Sequence, residues 1–244
     1  MKIGVFDSGL GGINVLKELL KMYPNEEYIY IGDNKNLPYG TKTKDQLLLL
    51  ASNMIDYLIK EGVNIIFVAC GTVSSTIYEE LKEKYRVPIV SIVNTTVTKI
   101  NSLNLDEIAV LATPNTINSH IFKNNLNCKK ILEISCDKFV PLIEGNLDSK
   151  FKNLYIEQYL KEIKKERIKN IILGCTHYPL LVEDIKNYLG DVNCYDMGVI
   201  LANSVYLKSG NKSLDIYFTN CTEELENKVS EILNKKISIK KLDL

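Results

Sequence analysis

Short runs of β-branched and apolar residues alternate with longer amphipathic stretches from one end of this 244-residue chain to the other. That alternation leaves few architectures open. Parallel strands are joined by crossovers of a dozen or more residues, and a helix is the usual crossover. Strands are expected at 3–6, 28–32, 65–69, 89–93, 108–112, 131–134, 171–174 and, shorter, 193–195. Helices are expected at 13–22, 44–60, 73–85, 115–124, 155–166, 180–188 and 201–207. The last segment reads as strand 216–219, helix 223–233 with Thr222 as its N-cap, and a short strand 237–239. The strands are apolar almost throughout, which predicts burial on both faces.

A weak internal repeat refines this picture. Val63–Cys70 (VNIIFVAC) aligns with Ile168–Cys175 (IKNIILGC), and a Tyr-Leu pair precedes each run. The expected fold is α/β, with two pseudo-symmetric lobes, each a mostly parallel sheet flanked by helices, and the active site in the cleft between them. Both repeats put a cysteine where a buried strand stops. A thiol at a helix start feels the positive end of the helix dipole, which favours the thiolate.

Composition narrows the partners. Thirty basic residues balance thirty acidic ones, so no nucleic acid or anionic membrane is expected. No apolar stretch approaches the roughly 18–20 residues of a membrane span. With the first strand beginning at Ile3, no signal peptide and a cytoplasmic location are expected. The six cysteines show no CxxC spacing, and with only two histidines, His120 and His177, no metal site is expected. Arg86 and Arg167 are the only arginines and neither lies beside a motif. A carboxylate-bearing small molecule would then be held by hydroxyls and backbone N–H groups rather than by an arginine fork.

The first strand runs into Asp7-Ser8-Gly9-Leu10-Gly11-Gly12. A Gly-rich turn between strand and helix resembles a dinucleotide fingerprint, but Asn14 stands at the third glycine position. Asp7 and Ser8 are equally good helix caps. In the loop after the second strand, Leu37-Pro38-Tyr39-Gly40 reads either as a proline turn with one aromatic packed down or as a rigid substrate wall. Cys70 could be an ordinary buried thiol. Cys175 is followed by Thr176 and His177, and a histidine beside a strand-end cysteine can accept or orient its proton. Cys128, Cys136, Cys194 and Cys221 have no such neighbours and read as structural.

One cysteine beside a histidine suggests a nucleophile. Two, at equivalent strand ends, suggest acid and base on opposite faces of one carbon. Removing an α-proton with one thiolate and returning a proton from the opposite thiol inverts the centre. With each sulfur about 3–3.5 Å from the carbon, the sulfurs should stand roughly 6–8 Å apart, too far for a disulfide.

Together these motifs resemble the glutamate racemase family, cofactor-independent enzymes of the aspartate/glutamate racemase superfamily. The resemblance covers Gly4-Val5-Phe6-Asp7-Ser8-Gly9 with Gly11-Gly12, Gly32-Asp33, Pro38-Tyr39-Gly40, Ala69-Cys70 with Thr72, Thr113 and Thr116, Phe139-Val140-Pro141-Leu142, and Leu173-Gly174-Cys175-Thr176-His177-Tyr178-Pro179. It implies that Cys70 takes the α-proton of D-glutamate and Cys175 that of L-glutamate, assisted by Asp7 and His177 respectively. It places the carboxylates Asp33 and Glu144 near the site, and gives substrate contacts to Ser8, Pro38, Tyr39, Gly40, Thr72, Thr113, Thr116 and Thr176. No cofactor is implied. A homodimer, a role in supplying D-glutamate for peptidoglycan, and two lobes, 1–93 with 208–244 and 94–207, are.

Four positions depart from the family pattern. Cys-Asn-Thr is Cys70-Gly71-Thr72 here, so Gly71 lacks a side-chain amide in the substrate-binding set. Asn94, standing at an expected strand end where the family has proline, could supply that amide. Met197 replaces a serine, and Ala112 a glycine before Thr113. Gly71 keeps two rivals open: a racemase of another acidic amino acid such as aspartate, and a silent binding protein on the same fold. A pyridoxal phosphate enzyme would leave the thiol pair unexplained.

Overall fold

The computed structural model describes residues 1–145, 147–207 and 210–244. Among the described residues, ten strands form two sheets: β1 (Lys2–Asp7), β2 (Glu27–Gly32), β3 (Ile65–Val68), β4 (Ile89–Ser91), β5 (Glu107–Ala112), β6 (Lys130–Ser135), β7 (Asn170–Leu173), β8 (Asn193–Asp196), β9 (Ser213–Phe218) and β10 (Lys240–Lys241). The first sheet has the order β10-β9-β2-β1-β3-β4 and the second β6-β5-β7-β8. Every pairing is parallel. The strand sequence 2-1-3-4 of the first sheet recurs as 6-5-7-8 in the second, so β3 and β7 occupy equivalent places. Each is followed directly by one of the two cysteine turns.

Among the described residues, twelve α-helices connect and cover the strands: α1 (Gly12–Met22), α2 (Lys44–Lys60), α3 (Gly71–Thr76), α4 (Tyr78–Lys84), α5 (Ile92–Asn101), α6 (Pro114–Asn118), α7 (Ile121–Asn125), α8 (Phe139–Glu144), α9 (Lys152–Glu166), α10 (Val182–Leu189), α11 (Met197–Ser204) and α12 (Glu223–Ile232). Local chemistry sets several boundaries. Thr43 and Gln46 form a reciprocal capping box at the start of α2. Thr222 Oγ1 accepts the Leu225 N–H at the start of α12.

Three expectations from the sequence need correction. The run 89–93 is strand only to Ser91, whose hydroxyl accepts the Asn94 N–H and opens α5. Thr95, Thr96 and Thr98 then bond back to carbonyls one turn earlier, which lets a β-branched run sit in a helix. The helix expected at 73–85 is two helices broken at Ile77, whose backbone leaves the helical region at φ −135° and ψ 13°. That at 115–124 is likewise two, separated by His120 in the left-handed region at φ 54°. The short helix α8 had no expectation at all.

The core explains how the two sheets stay in place. Val5 and Tyr30 from the first sheet, Val110 and Ile172 from the second, and Ile13, Val93, Ile100 and Leu201 from α1, α5 and α11 all belong to one buried apolar cluster. Helix α11 packs on both α1 and α5. Separate clusters back the outer face of each sheet. A division after residue 93 falls inside α5, and the start of the C-terminal return, at 208, lies outside the described residues. Among the described residues, no helix is long and apolar enough to cross a membrane.

Candidate active site

Strand β3 ends at Val68, and its chain passes through Ala69 to Cys70, the N-cap of α3. The Cys70 Sγ lies 3.7 Å from Ser8 Oγ, with the thiol as donor. The equivalent turn after β7 differs. Cys175, Thr176 and His177 precede a 3₁₀ turn at Tyr178–Leu181, so no α-helix starts at this thiol. The helix dipole expected at both cysteines is present only at Cys70. Cys175 has a side-chain partner instead, with Sγ 3.6 Å from His177 Nδ1.

Both thiols are free and line one cavity. Ser8, Cys70, Gly71 and Thr72 contribute from one side, and Thr113, Cys175, Thr176 and His177 from the other. Pro38, Tyr39 and Gly40 form part of the wall, so this loop is more than a turn. Its volume is only about 50 Å³, room for a few waters and far below the roughly 300 Å³ or more of ordinary small-molecule sites. Direct contacts hold it shut. Thr72 and Thr113 hydroxyls meet at 2.9 Å, Ser75 Oγ donates to Thr116 Oγ1 at 3.2 Å, and Asn115 Nδ2 donates to the carbonyls of Lys42 at 2.8 Å and Tyr39 at 3.3 Å.

Burial sets the electrostatics. It pushes the Cys70 thiol up to about 12, with the Asp7 carboxylate adding to it and the Val73 N–H and Ser8 hydroxyl opposing it. The expected activation by the helix start is therefore outweighed in the closed cleft. Burial also raises Asp7, against the charge of His177 and the N–H groups of Gly9, Gly12 and Ser8. At His177, burial opposes the charged ring, but bonds to Cys175 and to Glu144 Oε1, 2.6 Å from Nε2, carry its pKa well above the usual value. Burial would raise Glu144; the His177 bond and charge overcome it and hold the carboxyl low.

The structure sorts the remaining expected residues. Asp7 does not line the cavity; its Oδ2 accepts the Gly9 N–H at 3.1 Å and the Gly12 N–H at 3.0 Å, and its Oδ1 lies 3.4 Å from Thr176 Oγ1. Asp33 sits behind the wall, accepting from Tyr39 Oη at 2.6 Å and Thr219 Oγ1 at 2.8 Å. Glu144 backs His177. Thr116, expected as a substrate contact, is fully buried behind Thr113, its hydroxyl 3.1 Å away. Asn94 is the clearest correction: it faces a separate surface hollow with Tyr78, Thr98 and Ser204, because α5 begins before it and turns it away from the cleft. Gly71 receives no replacement amide from there.

Gly71 instead has a steric reason. A Cβ at this position would stand 2.7 Å from the Gly174 carbonyl and 3.5 Å from Met197 Cε. The bare α-carbon lets the two cysteine turns touch, and Met197, almost fully buried, fills the space beside them. Several lining residues went without a site role in the sequence: Leu37, Thr41, Pro114, Cys136, Asp137, Val140 and Pro141. Val140 and Pro141 lay in a recognised run but carry no chemistry that would single them out. Cys136 keeps its structural reading, its thiol turned to the Ile134 carbonyl at 3.6 Å. Among the described residues, no three His, Cys, Asp or Glu side chains are grouped to hold a metal ion.

Comparison with known proteins agrees with this arrangement. The family model for Asp/Glu/Hydantoin racemase matches residues 3–205. A glutamate racemase from a Hydrogenobaculum species is 35% identical, the alignment covering 98% of this chain and 96% of that protein. The crystal structure of a glutamate racemase isoform from Bacillus anthracis superposes with a TM-score of 0.90 at 27% identity, covering 99% of this chain and 97% of the other. The enzyme from Francisella tularensis, solved in complex with D-glutamate, gives a TM-score of 0.86 at 28% identity over 99% and 97%.

Proposed function

The chain belongs to the Asp/Glu/hydantoin racemase family, and from that premise we propose that it interconverts L- and D-glutamate, using Cys70 and Cys175 as acid and base. The observation that carries the proposal is the pair of free thiols lining one enclosed cavity from equivalent strand ends. One sulfur, as thiolate, takes the α-proton and leaves a carbanion; the other, as thiol, gives its proton to the opposite face and becomes the thiolate. The product has the inverted centre, and the two sulfurs have exchanged protonation states. The reverse reaction runs the same steps from the other side.

The surroundings of each sulfur suit that exchange. His177, raised and backed by Glu144, can pass a proton to and from Cys175. Ser8 accepts the Cys70 thiol proton in a hydrogen bond and orients it, and Asp7 fixes the turn that carries Ser8 by accepting the Gly9 and Gly12 N–H groups. Cys70 is held as a thiol in the closed cleft, which suits the acid for L-glutamate. Thr72, Thr113 and Thr176 hydroxyls are the neutral donors for the substrate carboxylates, as the scarcity of arginine requires. The contacts between Thr72 and Thr113 and between Asn115 and the carbonyls of Tyr39 and Lys42 would part to admit substrate.

The same reading carries a cytoplasmic enzyme, a homodimer, and D-glutamate supplied to peptidoglycan synthesis. Light scattering behind a sizing column tests the dimer. Chiral analysis of glutamate and aspartate incubated side by side with purified protein and no added cofactor tests the reaction. Inversion of glutamate, lost in both Cys70→Ser and Cys175→Ser, is expected. Inversion of aspartate alone, or of neither, would overturn the substrate assignment, and full turnover in both variants would overturn the two-thiol mechanism.

A further inference from the structure

Asn14 stands where a dinucleotide-type turn would carry its third glycine, and no step of the reaction above uses it. Its Nδ2 donates to two backbone carbonyls, Gly11 O at 3.2 Å and Thr176 O at 3.2 Å. A primary amide has two N–H donors, and here each has an acceptor. The Gly11 bond is local. The Thr176 bond crosses 162 residues of sequence to reach the peptide between Cys175 and His177.

Other contacts tie the same two turns. Thr176 Oγ1 donates to Asp7 Oδ1, and Glu144, while bonded to His177, accepts the Leu10 N–H. A Cβ at Gly11 would strike Thr176 Oγ1 and come within 2.5 Å of His177 Nδ1, so the turns are docked without room for a side chain between them. The two thiols also differ in what holds their backbone. Cys70 is the N-cap residue of α3, and its carbonyl accepts the Ser74 N–H at 2.9 Å in the first turn of that helix. Cys175 starts no α-helix: its carbonyl accepts the Tyr178 N–H at 3.1 Å in a single turn, and a 3₁₀ helix follows only at Tyr178–Leu181.

We propose that Asn14 is a positioning residue for the Cys175 half of the site. By holding the Thr176 carbonyl it fixes the peptide plane that joins Thr176 to His177, and so the direction in which the Cys175 sulfur and the His177 ring face the cleft. It replaces, from across the cleft, the support that α3 gives Cys70. Loosening it disturbs Cys175 before Cys70. The kinetic consequence rests on the racemase reading; the geometric one does not.

Three variants test this: Asn14→Asp, which keeps the shape and loses both donors, Asn14→Ala, and Asn14→Gln, which keeps the donors on a longer stem. The readouts are kcat and KM for each glutamate enantiomer and the rates at which iodoacetamide alkylates Cys70 and Cys175, measured separately by peptide mass spectrometry on protein with parental circular dichroism. Expected for Asp and Ala is a loss in kcat of roughly tenfold with KM changed less than about threefold. Cys175 should be alkylated at least about threefold faster with Cys70 unchanged, and Gln should recover part of both effects. Parental kcat in Asn14→Asp, or equal acceleration at the two cysteines, would overturn the proposal. If the parent does not racemise glutamate, the functional reading fails, and the alkylation rates still decide the role of Asn14.

Discussion

Replacing Gly71 by alanine adds one methyl group at the point where the two cysteine turns meet. That Cβ would lie 2.7 Å from the Gly174 carbonyl, about 0.7 Å inside the 3.4 Å at which ordinary contact begins. The obstacle is backbone, and it cannot rotate away. Gly174 is itself held, its N–H bonded to the Leu111 carbonyl at 2.7 Å and its own α-carbon so enclosed that a Cβ there would be 2.8 Å from that oxygen. The overlap must be relieved by moving the Cys70 turn and the Cys175 turn apart. Overpacking of this kind costs about 1–3 kcal/mol of stability, or roughly 2–12 °C in Tm for a chain of this size. The catalytic cost is larger. A misplacement of 1 Å can cost about a hundredfold, so a shift of roughly half that should lower kcat about five- to fiftyfold in both directions. Circular dichroism of glutamate solutions gives kcat and KM from either enantiomer, and calorimetry gives Tm. Gly71→Asn should lose activity as well, although it writes in the residue of the family pattern, because its Cβ meets the same carbonyl. Adding Met197→Ser should return part of the loss by freeing the space near the Met197 methyl. Parental kcat and Tm in Gly71→Ala would refute the contact as the element that spaces the turns.

Removing the charge behind His177 has a pH signature. Glu144 is held below 4.5, so its contribution to stability is complete above that value and is lost as pH falls through its lowered folded pKa. His177 is raised above 6.5, so its contribution is complete below 6.5 and is lost as pH rises through its raised folded pKa. Glu144→Gln should therefore lower Tm most between about pH 4.5 and 6.5 and shift any His177-dependent limb of kcat to lower pH; a Tm difference independent of pH would contradict this. Tyr39→Phe leaves the buried Asp33 carboxylate with one fewer donor, at a cost of about 1–3 kcal/mol in urea unfolding, and it should raise KM more than it lowers kcat because Tyr39 is wall rather than acid or base. Asn94→Ala should leave kcat and KM for glutamate unchanged, since Asn94 faces away from the cleft; a change of more than about threefold would put its amide back in the site.

Strand and helix periodicity is local, and so most of the architecture was open to reading from the chain. Nine of the expected strands lie on or overlap observed ones, and the short one expected at 237–239 forms just later, at Lys240–Lys241. The repeat around Cys70 and Cys175 correctly pointed to equivalent strand ends, because the apolar run and the residue that ends it are adjacent in sequence. Ser91 shows the limit of that reading: a β-branched run spells strand by composition, and a single capping hydroxyl made it the helix α5.

What only the tertiary structure decided are the contacts between turns far apart in the chain. Sequence placed Asp7, Asp33, Glu144 and Thr116 near the site, but whether each touches the cavity or stands behind another residue depends on how two sheets face each other. Asn94 was turned away by the Ser91 cap that opens α5 before it, whereas the bond from Asn14 to the Thr176 carbonyl exists only because the two turns meet. The two thiols were nameable from sequence as a pair; their inequality was not. One has a helix start beneath it, the other a histidine, a glutamate and an amide reaching over from the opposite turn. Strand ends are written in neighbouring residues, whereas the spacing and polarity of a cleft come from surfaces that meet only after folding.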